Sequence, residues 1–249
     1  MSADAASPVL ETPRADCSAC PHRDDRLLEG RCQPGDTCVR VMSGHQITRF
    51  FNQNPDLAER YAGDPFWERR AIAARYLSQQ RLLQMLDDPD EVVRRVLAYR
   101  LAVEHLWALI DDPDREVRIT VADRLPVEQL ERLVEDDDYL VRQYVARRLR
   151  AGRLFRMIGD PDREVRKTVA ARLPIESLGL MRDDAADEIR LVVAERLPES
   201  ELWTMADDPD WRVRLSVCLR APPDVVTRFL DDGDVDVQAA ARERCDAGT

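Results

Sequence analysis

Residues 112–126 read DPDREVRITVADRLP and contain the signals that define one α-helix. Asp112 suits the N-cap position, and Pro113 suits the first helical position, where its missing N–H costs nothing. The apolar residues that follow are spaced by four, one and three positions and form one helical stripe: Val117, Val121, Ala122 and Leu125. Pro126 prevents the helix from continuing. The stretch predicts an α-helix of about three turns with one buried face.

The same pattern returns every 24 residues from Asp64 to the C-terminus, eight times without an insertion. Aspartate holds its first position at Asp64, Asp88, Asp112, Asp136, Asp160, Asp184, Asp208 and Asp232. Arginine holds its seventh position at Arg70, Arg94, Arg118, Arg142, Arg166, Arg190 and Arg214, with Gln238 last. Such periodicity predicts a stack of similar units, a solenoid, in which each unit contacts its neighbours.

About ten residues of each unit remain after the helix, and their apolar positions recur every third residue, as in Val127, Leu130 and Leu133. That period is typical of a 3₁₀ helix, and a single α-turn fits nearly as well. The repeats contain no alternating pattern that would indicate a strand. We therefore expect an all-α solenoid of eight units, each an α-helix followed by a short helix.

Two arginine columns follow the repeat. The column containing Arg118 falls inside the apolar stripe, so we expect these guanidinium groups to be partly desolvated and paired with first-position aspartates of neighbouring units. The second column lies at the edge of the stripe, where the charge can remain in water above a buried stem. It comprises Arg100, Arg124, Arg148, Arg172, Arg196, Arg220 and Arg244. These side chains predict either a solvated face or a basic groove for an acidic partner.

Four cysteines precede the repeats within 22 residues: Cys17, Cys20, Cys32 and Cys38. The CxxC pair can direct two thiolates into one site, and the other two complete a four-sulfur shell for zinc or a [4Fe–4S] cluster. The irregular gaps of eleven and five residues favour iron–sulfur over a paired-knuckle zinc site. We interpret His22 as a neighbouring polar residue, and Cys218 and Cys245 as small buried hydrophobic residues.

The order of these features predicts four regions: a disordered tail over 1–15, the cysteine segment over 16–40, a helical cap over 41–63, and the solenoid over 64–249. The first residues lack the charge and apolar pattern of a signal peptide or a membrane span, so we expect a cytoplasmic protein with reduced cysteines. A net charge of −11 argues against nucleic acid or a membrane as partner. No catalytic or phosphate-binding motif is present, which predicts a protein that is not an enzyme.

Both the 24-residue unit and the cysteine cluster resemble those of the leucine-rich repeat variant proteins of bacteria. The resemblance covers about residues 17–245 and rests on the DPDxxVRxxVAxRLP unit and the four cysteines. It implies a right-handed superhelix of alternating α and 3₁₀ helices behind a segment whose four cysteines, Cys17, Cys20, Cys32 and Cys38, ligate a [4Fe–4S] cluster.

These features together predict an iron–sulfur protein whose repeats form a scaffold for a protein partner, with a redox or iron-sensing role. Two alternatives remain open from the residues. The cluster could carry electrons to a docked redox partner, or zinc could stabilise a scaffold without redox function.

Overall fold

The computed structural model describes residues 12–247. Within them the ordered elements are helical and no β-strand is present, apart from a single antiparallel bridge between Gln33 and Thr37. The chain divides into two compact units, one ending at Arg124 and the other beginning at Leu125. Both units consist of the same α-helix and short-helix repeat, so the fold is the all-α repeat solenoid that the sequence predicts.

The first unit begins with the cysteine segment and its π-helix, Arg23–Leu27. Its α-helices are α1 (Gly44–Gln53), α2 (Ala58–Tyr61), α3 (Trp67–Ala74), α4 (Gln79–Leu83), α5 (Glu91–Arg100) and α6 (Arg115–Arg124). Two 3₁₀ helices join them, Pro55–Leu57 and Val103–Leu109. The predicted cap region thus contains helices, while its boundaries at residues 41 and 63 stay a prediction.

The second unit contains α7 (Tyr139–Arg148), α8 (Arg163–Arg172), α9 (Ile175–Leu178), α10 (Asp187–Arg196), α11 (Trp211–Arg220), α12 (Pro223–Val226) and α13 (Val235–Ala247). Its 3₁₀ helices are Val127–Leu133, Ala151–Met157, Gly179–Met181, Glu199–Met205 and Thr227–Phe229. The two short α-helices α9 and α12 each continue directly into a 3₁₀ turn. Both forms predicted for the second element therefore occur.

The long helices begin two residues later than the sequence suggests. The third residue of each Asp-Pro-Asp motif is the N-cap: the carboxylate of Asp162 accepts a hydrogen bond from the backbone N–H of Glu164 at 2.8 Å. The first aspartate instead closes the turn before the helix, since Asp160 accepts from the N–H of Asp162 at 2.9 Å. The predicted capping role of the first aspartate is wrong, because the helix begins after the third residue of the motif; both carboxylate oxygens of the first aspartate also bind another partner.

That partner is the arginine of the seventh position in the preceding repeat. Arg142 donates from Nε and Nη2 to the two carboxylate oxygens of Asp160 at 2.7 and 2.9 Å, and Nη1 donates to the carbonyl of Asp136 at 2.7 Å. The same two-pronged ion pair joins Arg70 to Asp88, Arg94 to Asp112, Arg166 to Asp184, Arg190 to Asp208 and Arg214 to Asp232. The predicted ladder of partly desolvated arginines is confirmed within each unit.

Arginines of the second column bind backbone carbonyl groups of the preceding repeat. Arg172 donates to the carbonyl of Ala146 at 2.5 Å, and Arg244 donates to the carbonyls of Cys218 and Ala221, both at 2.7 Å. These acceptors lie at the C-terminal turns of helices one repeat earlier, where carbonyl groups lack intrahelical partners. These cations therefore cap neighbouring helices, and a basic groove formed by the same column stays a prediction.

The apolar stripe of the repeat forms the core. Val117, Val121, Ala122 and Leu125 are fully buried. The first eleven residues of the predicted disordered tail lie outside the described part of the chain. None of the helices within residues 12–247 is long and apolar enough to cross a membrane.

Candidate metal centre

A tight turn and a hairpin shape the cysteine segment. The N–H of Cys20 donates to the carbonyl of Cys17 at 3.2 Å, which folds the CxxC pair into one turn. Further along, Gln33 and Thr37 pair across an antiparallel bridge, and Gly35 between them has a φ of 83° that favours glycine. Cys32 and Cys38 directly flank the bridged residues. The five-residue gap that looked irregular in the sequence is the length of this hairpin.

The four thiols influence one another electrostatically. Burial, followed by the nearby thiols of Cys38, Cys20 and Cys17, raises the pKa of Cys32 to about 11. The pKa of Cys17 is also raised, first by desolvation and then by Cys20 and Cys38. Because thiolates repel one another, the other cysteines contribute to the raised pKa of both Cys32 and Cys17. All four cysteines are free in the structure.

The donor set fits a thiolate-bound centre. Within residues 12–247, no three His, Cys, Asp or Glu side chains are already arranged as the ligands of one metal ion. The four neighbouring thiols nevertheless supply the soft donors that both zinc and iron–sulfur clusters require. A cationic centre would lower the pKa of these thiols and favour the thiolate form that ligates a metal. The assignment of Cys17, Cys20, Cys32 and Cys38 as ligands stays a prediction.

Exposure differs between the two cysteine pairs. Cys32 and Cys38 are buried, with 8% and 2% of their surfaces exposed, whereas Cys17 and Cys20 are partly exposed. The hairpin therefore forms the inner side of the candidate site, and the CxxC turn forms its outer edge.

His22, two residues after the CxxC motif, has a structural role that sequence reasoning missed. Its side chain is fully buried, and Nε2 is 2.7 Å from the hydroxyl of Tyr61 in α2. Its Nδ1 lies 3.6 Å from a carboxylate oxygen of Asp25. Burial lowers the pKa of His22, and burial raises the pKa of Tyr61 to about 12, so both groups are neutral at pH 7. The histidine anchors the cysteine segment on the helical cap.

Further contacts hold the segment to α1 and to the turn after it. The N–H of Cys38 donates to the carbonyl of Gln46 at 3.2 Å, and the Asn54 side chain donates to the carbonyl of Arg31 at 2.8 Å. Arg26 forms an ion pair with Asp56 at 2.6 Å. The cap and the cysteine segment therefore pack as one body inside the first unit.

The remaining two cysteines lie in the last repeats, in the second unit. Cys218 is fully buried, as predicted, and its burial raises the pKa of its thiol. Cys245 is only partly buried, so its prediction as a buried hydrophobic residue is wrong. It lies on α13, the last helix described.

Comparison with known proteins distinguishes the same two regions, the cysteine segment and the repeats. A family model described as the FeS4 cluster of LRV proteins matches residues 13–60, and the leucine rich repeat variant model matches residues 67–90 and 115–138. A solved structure titled "a leucine-rich repeat variant with a novel repetitive protein structural motif" is 55% identical. It covers 94% of this chain and 100% of its own, with a TM-score of 0.88.

A curated relative from Rhodobacter capsulatus, an uncharacterized 27.7 kDa protein in the nifB 3' region, is 42% identical over 80 residues. The match covers 32% of this chain and 32% of that protein, so the chain spans about a third of the length of this relative.

The fold and the cysteine segment define the class: an all-α repeat protein that carries an iron–sulfur family segment before its repeats. The chain belongs to the leucine-rich repeat variant family.

Proposed function

We propose that this protein is a cytoplasmic, non-enzymatic repeat scaffold that binds an iron–sulfur cluster and docks a protein partner according to redox or iron state. One observation carries the proposal: four free, electrostatically coupled thiols lie in the segment that the FeS4 family model matches. The cluster we propose is [4Fe–4S], held by Cys17, Cys20, Cys32 and Cys38, with zinc as the alternative.

When bound, such a cluster supplies one-electron redox chemistry and depends on iron supply. The protein's own residues supply the positioning. The Gln33–Thr37 hairpin presents Cys32 and Cys38 from the buried side, and His22 fixes the chain after Cys20 to the cap. Because these contacts join the segment to α1 and α2, a change in how the thiols are held would alter the surface next to it.

A protein is the partner that the scaffold favours. Repeat proteins offer extended surfaces, and the net charge of −11 opposes binding to nucleic acid or to anionic lipid. Exposed large apolar side chains include Trp107, Phe155 and Trp203, which occupy the same position of different repeats. The cysteines remain reduced in a cytoplasmic compartment, which a thiolate centre needs.

Electron transfer is the second candidate function. The partial exposure of Cys17 and Cys20 places one edge of the candidate site at the protein surface, where a redox partner could approach it. Two large apolar side chains of the same region, Leu28 and Met42, are 79% and 74% exposed. Small apolar patches of this kind suit transient redox docking.

Limited proteolysis under strict exclusion of oxygen separates these functions. The full-length protein is compared in oxidised, reduced and iron-chelated forms, and cleavage is mapped within residues 16–40. If the protein is a sensor, we expect oxidation, reduction or iron removal to increase the cleavage rate within residues 16–40 by about tenfold. A loss of about 1.4 kcal/mol in local stability produces a change of that size. Cleavage in the repeats after Leu125 is the internal control and is expected to stay constant.

A reversible potential without any change in cleavage would support electron transfer and contradict sensing. Identical cleavage together with no reversible redox signal would contradict both functions.

A further inference from the structure

An open groove lies between α1, α3 and α5 in the first unit, with a volume of about 470 Å³. Apolar side chains form most of its surface: Trp67, Ala71, Ile72, Val92 and Val96. Trp67 at the rim is 37% exposed. Small-molecule pockets enclose most of their ligand, whereas this depression is open along its length. Its shape suits side chains that project from a peptide segment.

The charged side chains of the groove are mostly basic. Arg49 and Arg75 line it against one carboxylate, Glu68. That carboxylate packs against Gly44 at the first turn of α1, so closely that an added Cβ on Gly44 would overlap it. The helix dipole stabilises a negative charge there. Within residues 12–247, Arg75 has no carboxylate partner and its side chain is exposed.

One wall of the groove is attached to the candidate metal centre. Arg49 lines the groove and also forms an ion pair with Asp36 in the hairpin that precedes Cys38. The N–H of Cys38 donates to the carbonyl of Gln46 on the same helix, α1. The groove therefore shares a helix with the segment whose state the scaffold is proposed to report.

We propose that this groove docks an acidic peptide segment of a partner protein, with apolar side chains seated among Trp67, Val92 and Val96 and a carboxylate facing Arg75. The proposal rests on the scaffold function above and names its docking site. On a protein of net charge −11, the exposed cation of Arg75 beside apolar walls attracts a locally acidic ligand where most of the surface repels one. The apolar walls favour peptide side chains over the phosphates of a nucleic acid.

Fluorescence anisotropy with a labelled Asp-Leu-Asp-Phe-Glu-Leu peptide tests the site on the full-length, anaerobically purified protein. We expect Arg75→Glu to weaken binding by about tenfold or more, because it reverses the charge that faces the peptide. Arg147→Glu is the matched control: Arg147 holds the same repeat position in the second unit, outside the groove, and is expected to leave binding unchanged. A peptide with Lys in place of each acidic residue is expected not to bind.

Equal binding of the peptide to wild type and Arg75→Glu would overturn the proposal, as would equal binding of the Lys peptide. The proposal would also be overturned if the peptide did not bind at millimolar concentration. The same holds if a single-stranded DNA oligonucleotide displaced the labelled peptide at the same concentration as unlabelled peptide does. Iron content is measured on the same samples. If iron-free protein binds the peptide through Arg75, the docking site is supported and the proposed cluster function is contradicted. If iron-loaded protein fails to bind the peptide, only the docking site is contradicted.

Discussion

Arg142 and Asp160 are removed from most of their hydration, with side-chain exposures of 10% and 4%. A cation in that position is stable because its guanidinium group satisfies two carboxylate oxygens and a carbonyl at once. Removing one partner leaves the other buried and unpaired, which costs more than the pair contributes when intact.

Arg142→Ala is therefore expected to lower the free energy of unfolding by about 3 kcal/mol, the range for breaking a buried ion pair. Urea unfolding of the full chain measures it. Arg163→Ala is the control, because Arg163 is 65% exposed and its ion pairs with Glu164 and Glu188 lie in solvent. Its loss is expected to cost less than about 1 kcal/mol. Equal effects of the two substitutions would show that the ladder arginines are not desolvated.

The same ladder predicts sensitivity to acid. Arg214 holds the pKa of Asp232 below its ordinary value of 3.8. Because the carboxyl binds its proton less readily in the folded state, it contributes stability above the unfolded pKa, and this contribution is lost as the pH falls through the folded pKa. Wild type is thus expected to lose stability steeply below about pH 4, and Asp232→Asn less steeply. Urea midpoints between pH 3 and 7 check this. Parallel pH profiles for the two proteins would contradict it.

At the scale of elements, the helix start shows how two aspartates divide two tasks. Asp162 caps α8, while Asp160 closes the preceding turn and binds Arg142. In the repeat of α10 the capping position holds Ala186, whose φ of −92° and ψ of 125° match those of the aspartate caps. The helix there begins without a side-chain acceptor.

Ala186→Asp is expected to stabilise the protein by about 1 kcal/mol, by supplying that acceptor and a negative charge at the helix N-terminus. Thermal or urea unfolding measures the gain. Ala185→Asp, one residue earlier in the turn, is the matched control and is expected to give no gain. If Ala185→Asp stabilised as much as Ala186→Asp, the capping position would be assigned wrongly.

The hairpin between Cys32 and Cys38 depends on a glycine. Gly35 has a φ of 83°, so Gly35→Ala is expected to strain the turn by about 1–2 kcal/mol and reduce the iron retained after anaerobic buffer exchange. Gly152→Ala is the control, since Gly152 has no positive φ and an added Cβ there has open space. Full iron retention by Gly35→Ala would contradict the proposed role of the hairpin in presenting the two cysteines.

At the scale of the whole molecule, the 24-residue period predicts the helices, the buried stripe and the buried ion-pair ladder. Periodicity reports which face a side chain occupies, and burial follows from the face. Periodicity does not identify the backbone group that a side chain binds in another repeat: the carbonyl that Arg172 binds belongs to Ala146, 26 residues earlier. Either aspartate of an Asp-Pro-Asp motif can cap a helix in principle, and the sequence-based prediction places the helix start two residues too early.

The candidate site was partly predictable for a similar reason. The spacing of four cysteines indicates a thiolate site, whereas the Gln33–Thr37 bridge and the burial of His22 against Tyr61 depend on tertiary packing. From sequence alone, a single histidine near a CxxC motif cannot be assigned either as a metal ligand or as a residue that holds the segment to the cap.

The most direct test of the account is the iron, acid-labile sulfide and zinc content of full-length protein purified without oxygen, compared among wild type, Cys17→Ser and Cys218→Ser. Cys218 is buried far along the chain in the second unit and controls for the loss of any cysteine. The account predicts about four iron and four sulfide per chain in wild type and Cys218→Ser, with a marked loss in Cys17→Ser. Zinc in place of iron, or wild-type protein with neither metal, would contradict it.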